Sequence, residues 1–148
     1  MSKHQEPIPP PTERKTTRLI FPVLLVLVVY FASGSTVEVE IPEFPLKDKL
    51  IHFLIFGLMA TLIIRVSYNP MRPWRSGAIA VLATSLYGSL DEFRQSFTPG
   101  RMVEVLDWVA DTAGALVATI VYIHLVPWRG FLERPLKLEK NVAKKNEG

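Results

Sequence analysis

The chain has 148 residues, 49% of them apolar and 21% charged, with no cysteine and a formal net charge of +3. The lack of cysteine excludes disulfides, thiolate catalysis, cysteine-ligated zinc and iron–sulfur clusters. The charges leave four nearly uncharged runs of about 15–20 residues, close to the roughly 20 that a helix needs to cross a bilayer; this excludes a disordered chain and predicts an all-α, polytopic membrane protein with a four-transmembrane-helix bundle.

Residues 1–17 are polar and proline-rich (Pro7, Pro9, Pro10, Pro11) and present no hydrophobic face, so a disordered tail is expected. A membrane domain over residues 18–127 follows. Its first span covers about 19–34, with Pro22 in the first turn, where a missing N–H costs little. A cleaved signal is the rival reading, because Arg18 precedes the apolar run and Phe31, Ala32, Ser33 and Gly34 end it on small residues. The late start and the length of the run favour a retained anchor. An acidic loop with Glu38, Glu40 and Glu43 leads to the second span, about 48–66. Asn69-Pro70-Met71-Arg72-Pro73 reads as a tight turn before the third span, about 74–95. Thr98-Pro99-Gly100-Arg101 reads as the next turn, and the fourth span covers about 105–127. Residues 128–148 form a basic tail.

With that topology, thirteen lysines and arginines fall on one side and four on the other. The positive-inside rule then makes both termini cytoplasmic in a multi-pass membrane protein. Trp74, Trp108 and Trp128 fall near span ends, where indoles favour the interface. The basic residues sit in tails and a turn beside apolar spans, without interleaved exposed aromatics. They therefore fit anionic lipid as a partner and exclude nucleic acid.

Polar residues inside or at the edge of a span are costly unless paired or hydrated, which makes them functional candidates. The second span opens with Asp48-Lys49-x-x-His52-Phe53, whose spacings place Asp48, Lys49 and His52 on one side of a helix. The third span ends in Asp91-Glu92-Phe93-Arg94-Gln95. Adjacent carboxylates there diverge by about 100° and oppose the helix dipole, so Arg94 and Arg101 are expected to offset them. Gly88, one turn earlier, leaves room for another helix. In the fourth span Asp107 and Asp111 are four apart on one face, and Ala110, Gly114 and Ala118 make a line of small residues that permits close helix approach. No Gly-x-Ser-x-Gly motif supports a serine nucleophile.

Taken in order, Asp48-Lys49-x-x-His52-Phe53, then Asp91-Glu92-x-x-Gln95-x-Phe97-x-Pro99-Gly100-Arg101, then Asp107-x-x-x-Asp111-Thr112-x-Gly114-Ala115 resemble the VanZ-like family of small bacterial membrane proteins. The resemblance spans about residues 48–126. It implies a cell-envelope context and, through the family's founding member, a link to low-level resistance to glycopeptide antibiotics of the teicoplanin type. This chain departs from many members in carrying Arg94 where they carry histidine. An arginine neither titrates near neutrality nor ligates a metal, so His52 is the only histidine of the cluster.

These residues predict binding of, or action on, an outer-leaflet anionic lipid or a lipid-linked cell-wall glycan; a glycopeptide is a further candidate partner. Lys49, Arg94, Gln95 and Arg101 would contact the substrate. His52, Glu92 and Asp111 form the candidate catalytic set, with His52 carrying a proton, and Asp48, Asp91, Asp107 and Gly114 would support them. Two alternatives stand beside this reading: a non-enzymatic scaffold or subunit of an envelope complex, and a metal-dependent membrane enzyme using Asp91, Glu92, Asp107 and Asp111. The residues leave open whether a reaction is catalysed and single out no cofactor.

Overall fold

The computed structural model describes residues 11–34, 46–97 and 104–133, with side chains in the first segment from Arg18 onward. All regular structure among them is helical: α1 (Pro11–Ser33), α2 (Lys47–Ser67), α3 (Pro73–Gln95), α4 (Val105–His124) and α5 (Val126–Leu132). Two boundaries differ from the sequence expectation. Residues 11–17, expected in the disordered tail, are helical; Pro11 takes the first helical position, where its fixed φ suits a helix and its missing N–H breaks no bond. The fourth span stops at His124 instead of running to residue 127, and the start of the expected basic tail is helical as α5. Pro127 supplies the reason. It cannot continue the hydrogen-bond ladder of α4, so the chain turns at Leu125 (φ −86°, ψ 83°) and restarts with the proline in the new helix's first turn.

The expected turn between α2 and α3 forms with a defined chemistry. Met71 donates its backbone N–H to Asn69 Oδ1 (2.9 Å), and Arg72 donates to the Asn69 carbonyl (3.0 Å). Ser76 Oγ accepts from the Asn69 N–H (3.0 Å) and donates to the Ser67 carbonyl (2.9 Å), tying the start of α3 to the end of α2. Side-chain contacts bring the starts of α2 and α4 to the ends of α1 and α3, so successive long helices alternate in direction.

α2 and α4 form the closest pair, α3 packs on both, and α1 lies mainly along α2. The small-residue line of α4 makes that closeness possible. A Cβ on Gly114 would overlap the backbone of Phe53, and one on Gly57 would lie 3.2 Å from the Gly114 carbonyl. Two apolar clusters fill the interior: Val29, Phe56 and Met59 toward one end, and Ile64, Ala80 and Tyr122 toward the other.

The outer surface carries large apolar side chains, among them Val28, Leu54, Leu82, Leu86, Phe93 and Leu106, all more than half exposed. The buried positions meanwhile include Arg18, Arg65, Asp91, Glu92, Asp107 and Asp111. A water-soluble domain avoids both features. Two helices, α2 and α4, are long and apolar enough to cross a membrane; the apolar part of α1, Arg18–Ser33, is shorter. In α3 the hydropathy is diluted by Ser76, Gly77, Thr84 and Gly88, which are turned into the bundle.

Candidate functional site

Where α2 and α4 begin and α3 ends, side chains from the three helices converge. Lys49 on the first turn of α2 reaches across to α4. Its Nζ lies 2.8 Å from Asp107 Oδ1, bonds the Glu104 carboxylate, and stands 4.0 Å from Asp48 on its own helix. One turn deeper, His52 Nδ1 lies 2.9 Å from Asp111 Oδ1. The spacings of three and four along α2 and of four along α4 make two rungs, Lys49 with Asp107 and His52 with Asp111, stacked along the helix pair. The imidazole also lies parallel to the Phe56 ring (centroids 5.9 Å apart, 8° between planes), and Phe56 packs on Tyr87. That stack fixes the ring's plane.

From α3, Glu92 turns toward the same group. Its Oε2 accepts the backbone N–H of Glu104 (3.2 Å), which satisfies one of the unpaired donors ahead of α4. Gly88 lies one turn below Glu92, and a Cβ there would sit 2.6 Å from Asp111 Oδ2. Glycine at this position is what lets the Asp111 carboxylate occupy the α3 side of the pair. Three carboxylate oxygens in the cluster are sealed from solvent without a hydrogen-bond partner: Asp107 Oδ1, which has the Lys49 ammonium 2.8 Å away, and Glu92 Oε1 and Asp111 Oδ2, which have no ion pair either. Among the described residues, five carboxylates (Asp48, Glu92, Glu104, Asp107, Asp111) thus share one lysine and one histidine. Such a cluster has surplus acceptors and receives donors or cations.

The two neighbouring acids of α3 part company, as their 100° separation requires. Asp91 faces α1 and accepts from Ser33 Oγ (2.6 Å) and from Gln95 Nε2 (2.9 Å). Arg94 joins it: Nη2 donates to the Tyr30 carbonyl (2.6 Å), bonds Ser33 Oγ and lies 3.4 Å from Asp91 Oδ1, while the guanidinium covers the Tyr30 ring at 4.2 Å. Arg94 and Asp91 therefore fasten α3 to α1, with Gln95 bracing Asp91 from one turn further along α3. The expected metal quartet is split for the same reason, since Asp91 turns away from Glu92, Asp107 and Asp111. Asp48, His52 and Asp107 do bring one ligand atom each within 4.8 Å of one another. Gly114 is the helix-crossing residue already described, and Arg101 lies outside the described residues.

Sequence reasoning missed Glu104, Ser33 and Tyr30. Glu104 stands three before Asp107, a spacing that puts it on the Lys49 side and could have been read. Ser33 and Tyr30 join the polar end only because α1 leans on α3, and nothing local signals it.

The Asp111–His52 pair is chemically a carboxylate that orients an imidazole. With the proton on Nδ1 and shared with Asp111, Nε2 keeps its lone pair and can accept a proton or a hydrogen bond.

A family model described as VanZ/LLP1 matches residues 12–127. No curated protein and no solved structure matches the chain.

Proposed function

This chain belongs to the VanZ/LLP1 family, and on that premise we propose that it is a four-span protein of the bacterial inner membrane whose α2–α3–α4 polar cluster binds the headgroup of an outer-leaflet lipid or lipid-linked cell-wall glycan. The cluster end faces outward and both termini face the cytoplasm, in keeping with the distribution of lysine and arginine. The observation that carries this reading is the pair of buried carboxylate oxygens, Glu92 Oε1 and Asp111 Oδ2, left without partners beside His52 and Lys49. Buried acceptors are costly until a donor meets them, and sugar hydroxyls or an amine are the donors such a headgroup carries.

The geometry shifts the emphasis within the sequence expectation. Of the cations expected to hold phosphate, Arg94 is engaged by α1 and Lys49 by Asp107 and Glu104. Among the described residues, recognition therefore runs through hydroxyl groups donating to carboxylates, with Lys49 as the cation beside them. In the cell this role would appear as a contribution to tolerance of teicoplanin-type glycopeptides. The test is retention of a lipid-linked cell-wall precursor by purified full-length protein. The parent should retain it, and Asp111→Asn should weaken retention by about tenfold, the loss expected for one hydrogen bond to a charged group. Equal retention by both would refute the assignment.

A second reading rests on Asp48, His52 and Asp107, whose ligand atoms are close enough to hold one hard divalent cation. The Lys49 ammonium on Asp107 opposes it. Elemental analysis of the detergent-purified protein separates the two readings, because a stoichiometric divalent metal is required by the second alone.

A further inference from the structure

The opposite end of the bundle holds a charge that the fold leaves unanswered. Arg65 closes the last turn of α2 and is only 9% exposed. Among the described residues no hydrogen bond or ion pair engages its guanidinium, and Nε is sealed from solvent without a partner. An arginine cannot shed its proton to escape this position. The α2 C-terminus supplies a favourable dipole, but the carbonyl of Arg65 itself is already taken by Arg18 Nη1 at 3.3 Å.

The neighbours deepen the imbalance. Arg18, also buried, brings a second guanidinium and pairs with Glu133 Oε2 at 2.7 Å. Glu133 further receives the Tyr122 hydroxyl. Arg129 donates to Tyr68 Oη (2.8 Å) and to the Ile123 carbonyl (3.0 Å). Among the described residues Arg18 and Arg129 are thus both bonded, and the Arg65 guanidinium is not. Trp74 and Trp128, both exposed, stand at the same end, as indoles do at the level of lipid headgroups.

We infer that Arg65, with Arg18 beside it, forms an anion site for a phosphate group, supplied by a phospholipid headgroup of the leaflet at this end or by free phosphate. The planar guanidinium fork matches two phosphate oxygens, and bonds of this kind between charged partners are strong where water is scarce. The site shares no residue with the α2–α3–α4 cluster and stands or falls independently of it.

The experiment titrates full-length protein in detergent with short-chain phosphatidylglycerol, with the matching diacylglycerol, and with inorganic phosphate, and follows the thermal midpoint. Phosphatidylglycerol should raise the midpoint of the parent and diacylglycerol should not. Arg65→Gln should bind at least about tenfold more weakly, with Arg65→Lys in between. Arg65→Gln removes an unpaired buried charge and so should fold; Arg65→Lys keeps the comparison usable if it does not. An equal, Arg65-dependent response to inorganic phosphate identifies free phosphate as the source. No response of the parent to either phosphate compound overturns the inference, as does an unchanged response in Arg65→Gln.

Discussion

Among the described residues, five carboxylates share one lysine and one histidine at the end where α2 and α4 begin, whereas at the end where these helices finish Arg18, Arg65 and Arg129 gather and Glu133 pairs with the first of them. Both ends carry buried charge of one sign in excess, which an apolar bundle does not need in order to pack. They are built differently. The acidic end is made of rungs between two helices in backbone contact at Gly114, so its members are held at fixed spacing. The basic end is gathered from α1, α2, α4, α5 and Glu133, with Arg129 of α5 bonding Tyr68 and the Ile123 carbonyl. The difference teaches that one end is positioned by helix geometry and the other by the folding-over of a terminal segment.

Loss of Lys49 should distinguish the ends most strongly. Lys49→Met leaves the Asp107 carboxylate, itself 8% exposed, with its ion pair removed. The expected cost is about 2 kcal/mol, between the values for an exposed and a fully buried pair, read as a drop in denaturation midpoint. Gly88→Ala comes next. Its new Cβ would lie 2.6 Å from Asp111 Oδ2, so the expected cost is about 1–2 kcal/mol of overpacking. Adding Asp111→Ala removes the clashing oxygen, so the double variant should show a clear coupling between the two sites in a thermodynamic cycle. Simple additivity would mean that Gly88 does not hold Asp111 in place.

The acidic end was legible in the sequence because helical spacing is local. Asp48, Lys49 and His52, and likewise Asp107 and Asp111, share faces by counting, and Gly114 marks where two helices touch. Which helix meets which face is not local. The divergence of Asp91 from Glu92 was foreseeable, yet that Asp91 would bond Ser33 and that Arg94 would lie on Tyr30 depends on where α1 leans. The basic end was still less legible, since Arg18 and Glu133 are 115 residues apart and meet only because Pro127 turns the chain into α5. The start of α1 is not legible, because the composition of residues 11–17 resembles a tail while the backbone there continues the helix.

At the basic end the effects should be smaller. Glu133→Gln keeps a polar group for Tyr122 but removes the charge that pairs with Arg18, and should cost about 1 kcal/mol. It should also raise the proteolytic sensitivity of the segment after His124, whereas Lys49→Met should leave that segment unaffected. Arg94→Lys should have the smallest effect, a loss of about 0.5–1 kcal/mol from the Tyr30 ring and carbonyl contacts, with precursor retention unchanged because Arg94 belongs to the α1 contact.

The central claim is that the carboxylates of the α2–α3–α4 cluster serve a bound molecule and are not helix glue. Glu92→Gln tests it most directly, because the amide oxygen can still accept the Glu104 N–H while the charge is removed. Denaturation midpoint and retention of a lipid-linked cell-wall precursor are measured on the same preparation. The account predicts a midpoint equal to or above that of the parent, together with retention about tenfold weaker. A lowered midpoint with undiminished retention would contradict it.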